Sequence, residues 1–354
     1  MSTINRRNFL RTSLIGGVAV AYLNPVRTFA SAARNSGTQN TFTSQVALTT
    51  GDSRADLTFR ALEPFSRQIK NAIGDKLVVL KPNNVSTEIQ LAATHADTLE
   101  GILEFLRSIN KLKNVVIAES AANGPTFDGF KNFGYFSLGE KYNVKLNDLD
   151  KEKYKIVYVF DEKDFRPHPV RMSSLLLNPD TYVISVAKLK THDRIVATLS
   201  LKNIVFGAPI KDEGFTYGPN RRQGAKIDKP IVHGSGFRGI NYNLFALADK
   251  LHPDLSVIDG FEGMEGNGPN NGTPVDHRVC VVSPDWLAAD RVGIELMGID
   301  LAKVGYLSYC AQANMGTADL DKIEIIGEPV SRHIKTYKLS KNIDSQLVWM
   351  NPVS

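Results

Sequence analysis

The stretch VISVAKLKTHDRIVATLSLKNIVFG, residues 183–207, decides the fold of this chain. The apolar run Tyr182–Val186 predicts a buried strand, and the polar segment Ala187–His192 follows it directly. The residues from Thr198 to Gly207 then predict a helical turn. A buried strand that leads through polar residues into a helix is the building unit of an α/β fold.

The rest of the chain repeats this alternation. Further strands are predicted at Lys76–Leu80, Asn114–Ala118, Lys155–Phe160, Leu255–Ile258, Val279–Val282, Ile323–Ile326 and Ile334–Leu339. Helices are predicted at Thr94–Ile109 (with Thr94 as N-cap), Phe127–Tyr142, Asn241–Leu251, Trp286–Met297 and Tyr306–Ala313. Short strands separated by helices indicate a mostly parallel sheet flanked by helices in Rossmann-like layering. A long loop insertion around residues 208–239 interrupts this pattern.

Residues 1–32 are typical of a twin-arginine signal peptide. Asn5–Arg11 reads NRRNFLR, an apolar run extends from Leu14 to Leu23, and a small-residue cleavage site lies near Ala32. This run is about ten residues long, whereas a membrane-spanning helix needs roughly 20, so we expect no permanent membrane anchor. An ordinary secretory signal stays open as the alternative. We expect export through the twin-arginine translocon to the periplasm or an equivalent exported location.

Removal of the signal peptide changes the charge of the chain. It takes away four arginines and no acidic residue, which lowers the formal net charge from +5 to +1. A nearly neutral mature chain argues against nucleic acid as a partner. We interpret residues 33–50 as a flexible lead-in and residues 51–354 as a single α/β domain.

The chain contains two cysteines, Cys280 and Cys310. Two thiols are too few for a cysteine-ligated iron–sulfur cluster or a four-cysteine zinc site. An oxidising compartment permits one disulfide. Because Cys280 lies in a predicted strand and Cys310 in a predicted helix, two buried free thiols are the preferred interpretation.

Polar residues follow several predicted strands directly, where parallel sheets bind their ligands. These residues are Lys81, Asn83 and Asn84 after one strand, Glu119 and Ser120 after the next, and Lys188, Lys190 and His192 after the strand at 182–186. Lys202 and Asn203 follow in the helical turn. Thr198 or Ser200 could cap its N-terminus and aim its backbone N–H groups at an anion. The cationic groups predict a site for phosphate or carboxylate, with His192, Lys190 and Lys202 as candidate catalytic residues. The alternative is a solvated charged loop.

Four motifs resemble one known family. VLKPN (79–83), KLKTH (188–192), TLSLKNIVFG (198–207) and VIDGFEGMEGNGP (257–269) look like the domain of unknown function 362 family. The resemblance extends from about Lys76 to Gly327. Many members of that family carry ferredoxin-type cysteines, which this chain lacks, so the resemblance implies a fold rather than a reaction.

The segment DGFEGMEGNGP, residues 259–269, reads as a glycine-rich loop. Its carboxylates Asp259, Glu262 and Glu265 are ligands of the kind that Mg²⁺ or Ca²⁺ prefers, so they form a candidate divalent-cation site. A phosphate approaching the glycines, or a solvated turn, are the open alternatives. His95 at the start of a helix and His233 in the basic insertion are further candidate ligand-binding residues, with the insertion acting as a lid.

These residues favour an exported enzyme that acts on a small anionic compound in a Lys/His-lined cleft. A binding or carrier protein for an anion or cofactor is the main alternative, and a partner subunit of a redox complex is a third. The chain has no nucleophile elbow, P-loop or His-Glu-x-x-His motif. It has one G-x-G-x-x-G match, Gly234–Gly239, but no predicted strand leads into it, as the dinucleotide-binding motif requires. These observations argue against standard serine hydrolases, P-loop kinases, zincins and Rossmann dehydrogenases.

Overall fold

The structure is a computed structural model that describes residues 42–351. The predicted signal peptide and residues 33–41 of the predicted lead-in lie outside the described residues. Within 42–351, no helix is both long and apolar enough to cross a membrane.

Eleven strands form one mixed sheet and one separate hairpin. The strands are β1 (Ser44–Thr50), β2 (Leu77–Lys81), β3 (Val115–Glu119), β4 (Lys145–Asp148), β5 (Tyr154–Asp161), β6 (Arg166–Ser173), β7 (Thr181–His192), β8 (Val196–Thr198), β9 (Leu255–Asn267), β10 (Asn271–Ser283) and β11 (Ile323–Gly327). The nine-stranded sheet has the order β11-β1-β10-β9-β7-β2-β3-β4, with β8 paired to β7, and β5 and β6 form the hairpin. Most neighbours in the sheet are parallel, which confirms the predicted α/β fold.

Helices cover both faces of this sheet. They are α1 (Arg54–Leu62), α2 (Ser66–Ile73), α3 (Ala96–Ser108), α4 (Thr126–Asn132), α5 (Tyr135–Tyr142), α6 (Ser200–Gly207), α7 (Lys229–Val232), α8 (Phe237–Ala248), α9 (Trp286–Leu296), α10 (Gly305–Gln312) and α11 (Ile343–Gln346). Alternate strand residues face opposite layers, because side chains of a strand alternate in direction. Val78 and Leu80 pack into the core beneath α1–α5, whereas Val79 packs into the core beneath α6 and α8–α10.

Several predicted elements differ from the structure. Ser44–Thr50, assigned to the flexible lead-in, form β1 between β10 and β11. The segment Ile334–Leu339 forms no strand. Gly134, in the left-handed conformation with φ 78°, separates α4 from α5, so the predicted helix over 127–142 is two helices. The N-cap of α3 is His95 rather than Thr94.

Two predicted loops are extensions of strands. The strand expected to end at Val186 continues as β7 to His192, since Lys188 pairs with Asp259 of β9 and Lys190 pairs with Thr198 of β8. Residues 259–267, expected as a glycine-rich loop, belong to β9 and pair with β10 as a hairpin. The insertion around 208–239 is mostly irregular up to α7 at Lys229, with an isolated bridge between Lys211 and Ile227.

Candidate functional site

A cavity of about 330 Å³ lies beyond the carboxyl ends of β2, β3 and β7. Parallel strands end together at this edge of the sheet, which is where open α/β sheets bind ligands. The polar side chains that line it are Lys81, Asn83, Asn84, Glu119, Ser120, His192, Asp193, Arg194, Lys202, Asn203, Tyr217, Lys229, His233, Asn270 and Asn271. The structure therefore brings together most of the residues that the sequence singled out.

Lys81 and Glu119 form a buried ion pair in the wall of this cavity. Nζ of Lys81 lies 2.7 Å from Oε1 of Glu119, and both side chains are almost fully buried. Glu119 also accepts hydrogen bonds from the backbone N–H groups of Ser120 and Asn84. Burial lowers the pKa of Lys81, and the Glu119 carboxylate opposes that shift. Since each group has three hydrogen bonds to protein partners, this pair organises the wall.

Asn203 connects helix α6 to the loop that follows β2. Its amide nitrogen donates to the backbone oxygen of Lys81 (3.0 Å) and to Oγ of Ser185 (3.1 Å). Its amide oxygen accepts from Nδ2 of Asn83 at 3.0 Å and from Nζ of Lys81 at 3.3 Å. Oδ1 of Asn83 has no hydrogen-bond partner among residues 42–351. The amide oxygen of Asn83 is therefore still available as a hydrogen-bond acceptor at the cavity wall.

Lys202 is a buried cation of the cavity that has no partner among the described residues. Its side chain is buried and its Nζ lies 5.2 Å from the ring centroid of Phe206. Across the described part of the chain, this Nζ has no hydrogen bond and no salt bridge. Burial lowers the pKa of Lys202 to about 8, with nearby Asp193 opposing the shift. A buried ammonium without a carboxylate partner is expected to attract an anionic ligand.

His192 and His233 present opposite hydrogen-bonding atoms. Nδ1 of His192 accepts the backbone N–H of Arg194 at 3.0 Å, so the proton of the neutral ring lies on Nε2. Nδ1 of His233 lies 3.0 Å from the carbonyl oxygen of Lys229 and donates to it, so Nε2 of His233 carries a lone pair. The cavity thus receives one ring N–H donor and one ring acceptor.

Both rings are neutral at pH 7. Burial, together with the cations Lys202 and Arg194, lowers the pKa of His233 to about 4. Burial and the same two cations hold the pKa of His192 well below its usual value. Oδ1 of Asp193 lies 3.2 Å from Nδ1 of His192, but the Arg194 N–H occupies that nitrogen. His192 therefore acts as a hydrogen-bond donor, whereas the sequence suggested an acid–base role.

Lys229 lines the cavity, and the sequence analysis did not predict it. Its Nζ donates to the carbonyl oxygens of Pro209 (2.8 Å), Phe206 and Gly207 (both 3.3 Å), the last two at the C-terminus of α6. Burial lowers its pKa to about 7. A cation at a helix C-terminus satisfies carbonyls that have no partner within the helix. The lysine is the first residue of the short helix α7, and no sequence pattern indicated this contact.

The N-terminus of α6 does not face the cavity as an anion site. Asp290 of α9 accepts the backbone N–H groups of Ser200 and Leu201 and the hydroxyl of Ser200. Neither Thr198 nor Ser200 acts as the side-chain N-cap of this helix. The predicted use of these N–H groups for an external anion is therefore wrong, because an internal carboxylate occupies them.

Lys188, Lys190 and His95 do not line the cavity. Lys188 donates to Oδ2 of Asp259 at 3.3 Å and to the backbone oxygen of Glu262, and Arg54 approaches the same carboxylate at 3.4 Å. Nδ1 of His95 accepts the N–H of Asp97 as the N-cap of α3. These contacts are internal, so they correct the predicted ligand-binding roles of Lys188 and His95.

Lys190 is completely buried and donates to the carbonyl oxygen of Ala92 at 2.7 Å. Burial and the neighbouring Lys202 hold its pKa well below the usual value. It does not reach the cavity, which contradicts its candidate catalytic role. Lys190 lies in the continuation of β7, where it pairs with Thr198 of β8, and the carbonyl oxygen of Ala92 holds its amine inside the protein.

The three carboxylates proposed for a divalent cation do not converge. Asp259 is paired with Lys188 and Arg54, and Oε2 of Glu265 accepts the backbone N–H of Lys338. Residues 42–351 contain no group of three or more His, Cys, Asp or Glu side chains placed to hold a metal ion. The expected metal role of Asp259, Glu262 and Glu265 is therefore wrong, since a hairpin spreads them along a strand. Cys280 and Cys310 are buried free thiols, as preferred above.

The comparisons with known proteins agree with the resemblance described above. The sequence pattern of the family described as "Domain of unknown function (DUF362)" matches residues 78–295. The thylakoid-associated protein sll1697 of Synechocystis sp. is 25% identical to this chain over 200 residues, which cover 56% of each protein. The chain thus spans little more than half the length of this relative. The family match contains the loop after β2, Glu119, His192, Lys202 and His233.

Proposed function

Because the chain belongs to the DUF362 family, whose description names no reaction, we propose its function from the cavity itself. The cavity binds a small carboxylate or phosphate and transfers a proton to or from it. Lys202 is the group that carries this proposal. It is a buried amine, it borders the cavity and it has no acidic partner among the described residues.

The charges of the cavity support an anion. Its wall contains the cations Lys81, Arg194, Lys202 and Lys229 against the acids Glu119 and Asp193. The ammonium of Lys81 offsets the negative charge of Glu119, whose oxygens also accept two backbone N–H groups. An anion bound beside Lys202 regains the electrostatic stabilisation that the amine lost on burial.

Proton transfer is the reaction class that these groups fit. With a pKa of about 8, part of the Lys202 population is a neutral amine near neutral pH, and this form accepts a proton from the bound compound and becomes an ammonium. Nε2–H of His192 donates to negative charge that develops on the bound compound. Nε2 of His233 accepts a hydrogen bond from a hydroxyl or an acid and orients it. These roles suit removal of a proton next to a carbonyl group of a small acid.

The test uses pyruvate as the probe, because its methyl protons are acidified by the adjacent carbonyl. Isothermal titration calorimetry measures binding, and ¹H NMR in D₂O measures exchange of the methyl protons for deuterium. The Lys202→Met variant is expected to lose at least about tenfold in affinity. Lys202→Arg keeps the charge but is never deprotonated in proteins, so it should bind pyruvate without exchange.

Lys303→Met, at an exposed surface position, is the control and should match the unaltered protein. Inorganic phosphate serves as a second probe for binding. If the unaltered protein binds pyruvate without proton exchange, the proposed enzymatic activity is wrong, and the protein is better explained as a carrier of a small anion. If Lys202→Met binds both probes as tightly as the unaltered protein does, the anion does not bind beside Lys202.

We also propose that residues 1–32 direct export by the twin-arginine route. The support is the NRRNFLR sequence with its short apolar run. Arg6→Lys with Arg7→Lys should block processing near Ala32 and keep the precursor in the cytoplasm, as read by immunoblotting of cell fractions. Unchanged processing of this variant points to the general secretory route.

A further inference from the structure

A second concave region lies between the β5–β6 hairpin, helix α8 and the segment 347–351. It has a volume of about 850 Å³, within the range of small-molecule sites. Its lining is aromatic, and the rings belong to Tyr158, Phe160, Phe165, Tyr242, Tyr309 and Trp349. We call it the aromatic groove. It is separate from the Lys202 cavity, with which it shares no lining residue.

The rings contact one another edge to face. Phe160 meets Tyr242 edge to face at a centroid distance of 5.5 Å, and Tyr309 meets Trp349 at 5.3 Å in the same way. Tyr158 and Phe165 are 65% and 69% exposed, which is high for large apolar side chains. An exposed concave cluster of this kind marks a binding surface.

Positive charge predominates around the rings. Arg166, Arg238 and Lys250 line the groove, and none of their side chains forms a salt bridge with another described residue. The one acid of the lining, Glu162, accepts the backbone N–H of Gly239. The aromatic groove therefore offers unpaired positive charge next to an apolar floor.

Two buried donors in the groove lack acceptors. Nε of Arg238 and Nε1 of Trp349 are shielded from water and have no hydrogen-bond partner among residues 42–351. Buried donors of this kind are normally paired, so an acceptor supplied by a ligand would complete them. Arg238 lines the groove on α8, five residues after His233 of the Lys202 cavity.

We propose that the aromatic groove binds an aromatic organic anion. The apolar rings of this ligand pack among Tyr242, Tyr309 and Trp349, and its acidic group pairs with Arg238. The charge of Arg166 and Lys250 favours the same orientation. This inference does not depend on the reaction at Lys202, because no residue of the groove takes part in that reaction.

Two fluorescent probes with the same ring system test the proposal in the purified full chain. One is 8-anilinonaphthalene-1-sulfonate, an anion, and the other is neutral N-phenyl-1-naphthylamine. The unaltered protein should bind one equivalent of the sulfonate, more tightly than the neutral probe. Arg238→Met should weaken the sulfonate about tenfold and leave the neutral probe within about twofold. Retained binding of the neutral probe shows that the groove is still folded.

Two control variants locate the probe. Tyr242→Ala should weaken both probes, and Lys202→Met should weaken neither. A sulfonate affinity that is unchanged in Arg238→Met overturns the proposal, as does non-saturating fluorescence. Loss of sulfonate binding in Lys202→Met also overturns it, because the anion would then occupy the other cavity.

Discussion

Gly207, the last residue of α6, lies directly against the buried side chain of Lys81. A Cβ at position 207 would overlap Cε and Nζ of this lysine. The missing side chain lets α6 approach the end of β2, where Asn203 reaches the backbone oxygen of Lys81. A glycine in the TLSLKNIVFG motif therefore sets the distance between two walls of the cavity.

Gly207→Ala should destabilise the protein by about 1–3 kcal/mol, although alanine is the better helix former. The cause is overpacking against Lys81, since the backbone of Gly207 has no positive φ. Urea unfolding measures the change. Gly218→Ala is the matched control, because no atom lies within 4 Å of its added methyl group, and it should stay within about 1 kcal/mol. Equal stability of the two variants would contradict the close packing.

The Lys81–Glu119 pair gives a second prediction. Glu119→Gln leaves a buried ammonium without its carboxylate and should cost about 3–5 kcal/mol in the free energy of unfolding. Lys81→Met should also destabilise, because the Glu119 carboxylate keeps its two backbone donors but loses its cation. The double variant should cost clearly less than the two single costs together, as urea unfolding of all four proteins measures. Additive costs would mean that the pair contributes no coupling.

The sequence predicted the layers of the fold and most of the cavity, for a local reason. Lys81, Glu119 and His192 come after apolar runs, and parallel strands bring their ends to one edge of the sheet. What it missed depends on pairing between distant segments. Lys190 is buried in the continuation of β7, and that continuation needs β8 and β9 as partners.

The acidic segment shows the same limit. The sequence predicts a loop at Asp259 and Glu262, but both residues lie in β9. This strand pairs with β10 on one side and with β7 on the other, and the pairing with β7 places Asp259 next to Lys188. Asp290 caps α6 from a position 90 residues away. Neither contact has a signature in the spacing of nearby residues, because each is set by how the layers pack.

Lys202 should reduce the stability of the protein at neutral pH. Burial lowers its pKa from 10.5 to about 8, so the folded state holds this proton less tightly than the unfolded state. Below pH 8 both states are protonated and the full penalty of about 3 kcal/mol applies. Between pH 8 and 10.5 only the unfolded state keeps the proton, so stability rises with pH.

Lys202→Met should therefore be more stable than the unaltered protein by up to about 3 kcal/mol at pH 7, and the gain should shrink towards pH 10.5. Urea unfolding at a series of pH values measures the difference in the free energy of unfolding between Lys202→Met and the unaltered protein. Groups that titrate in both proteins do not contribute to this difference. Lys303→Met should show no such gain. A pH-independent difference would mean that the pKa of Lys202 is not lowered in the folded protein.

His192 and His233 should be neutral at pH 7 and carry their protons on different nitrogens. The Arg194 N–H fixes the proton of His192 on Nε2, and the Lys229 carbonyl fixes that of His233 on Nδ1. Two-bond ¹H–¹⁵N correlation spectra separate the two tautomers, and His192→Asn and His233→Asn assign the signals. A ring that titrates near pH 6.5, or two rings of the same tautomer, would contradict this arrangement. Opposite tautomers beside Lys202 would give a bound acid one hydrogen-bond donor and one acceptor in fixed positions. The side chains of a solvated charged loop would not be fixed in this way.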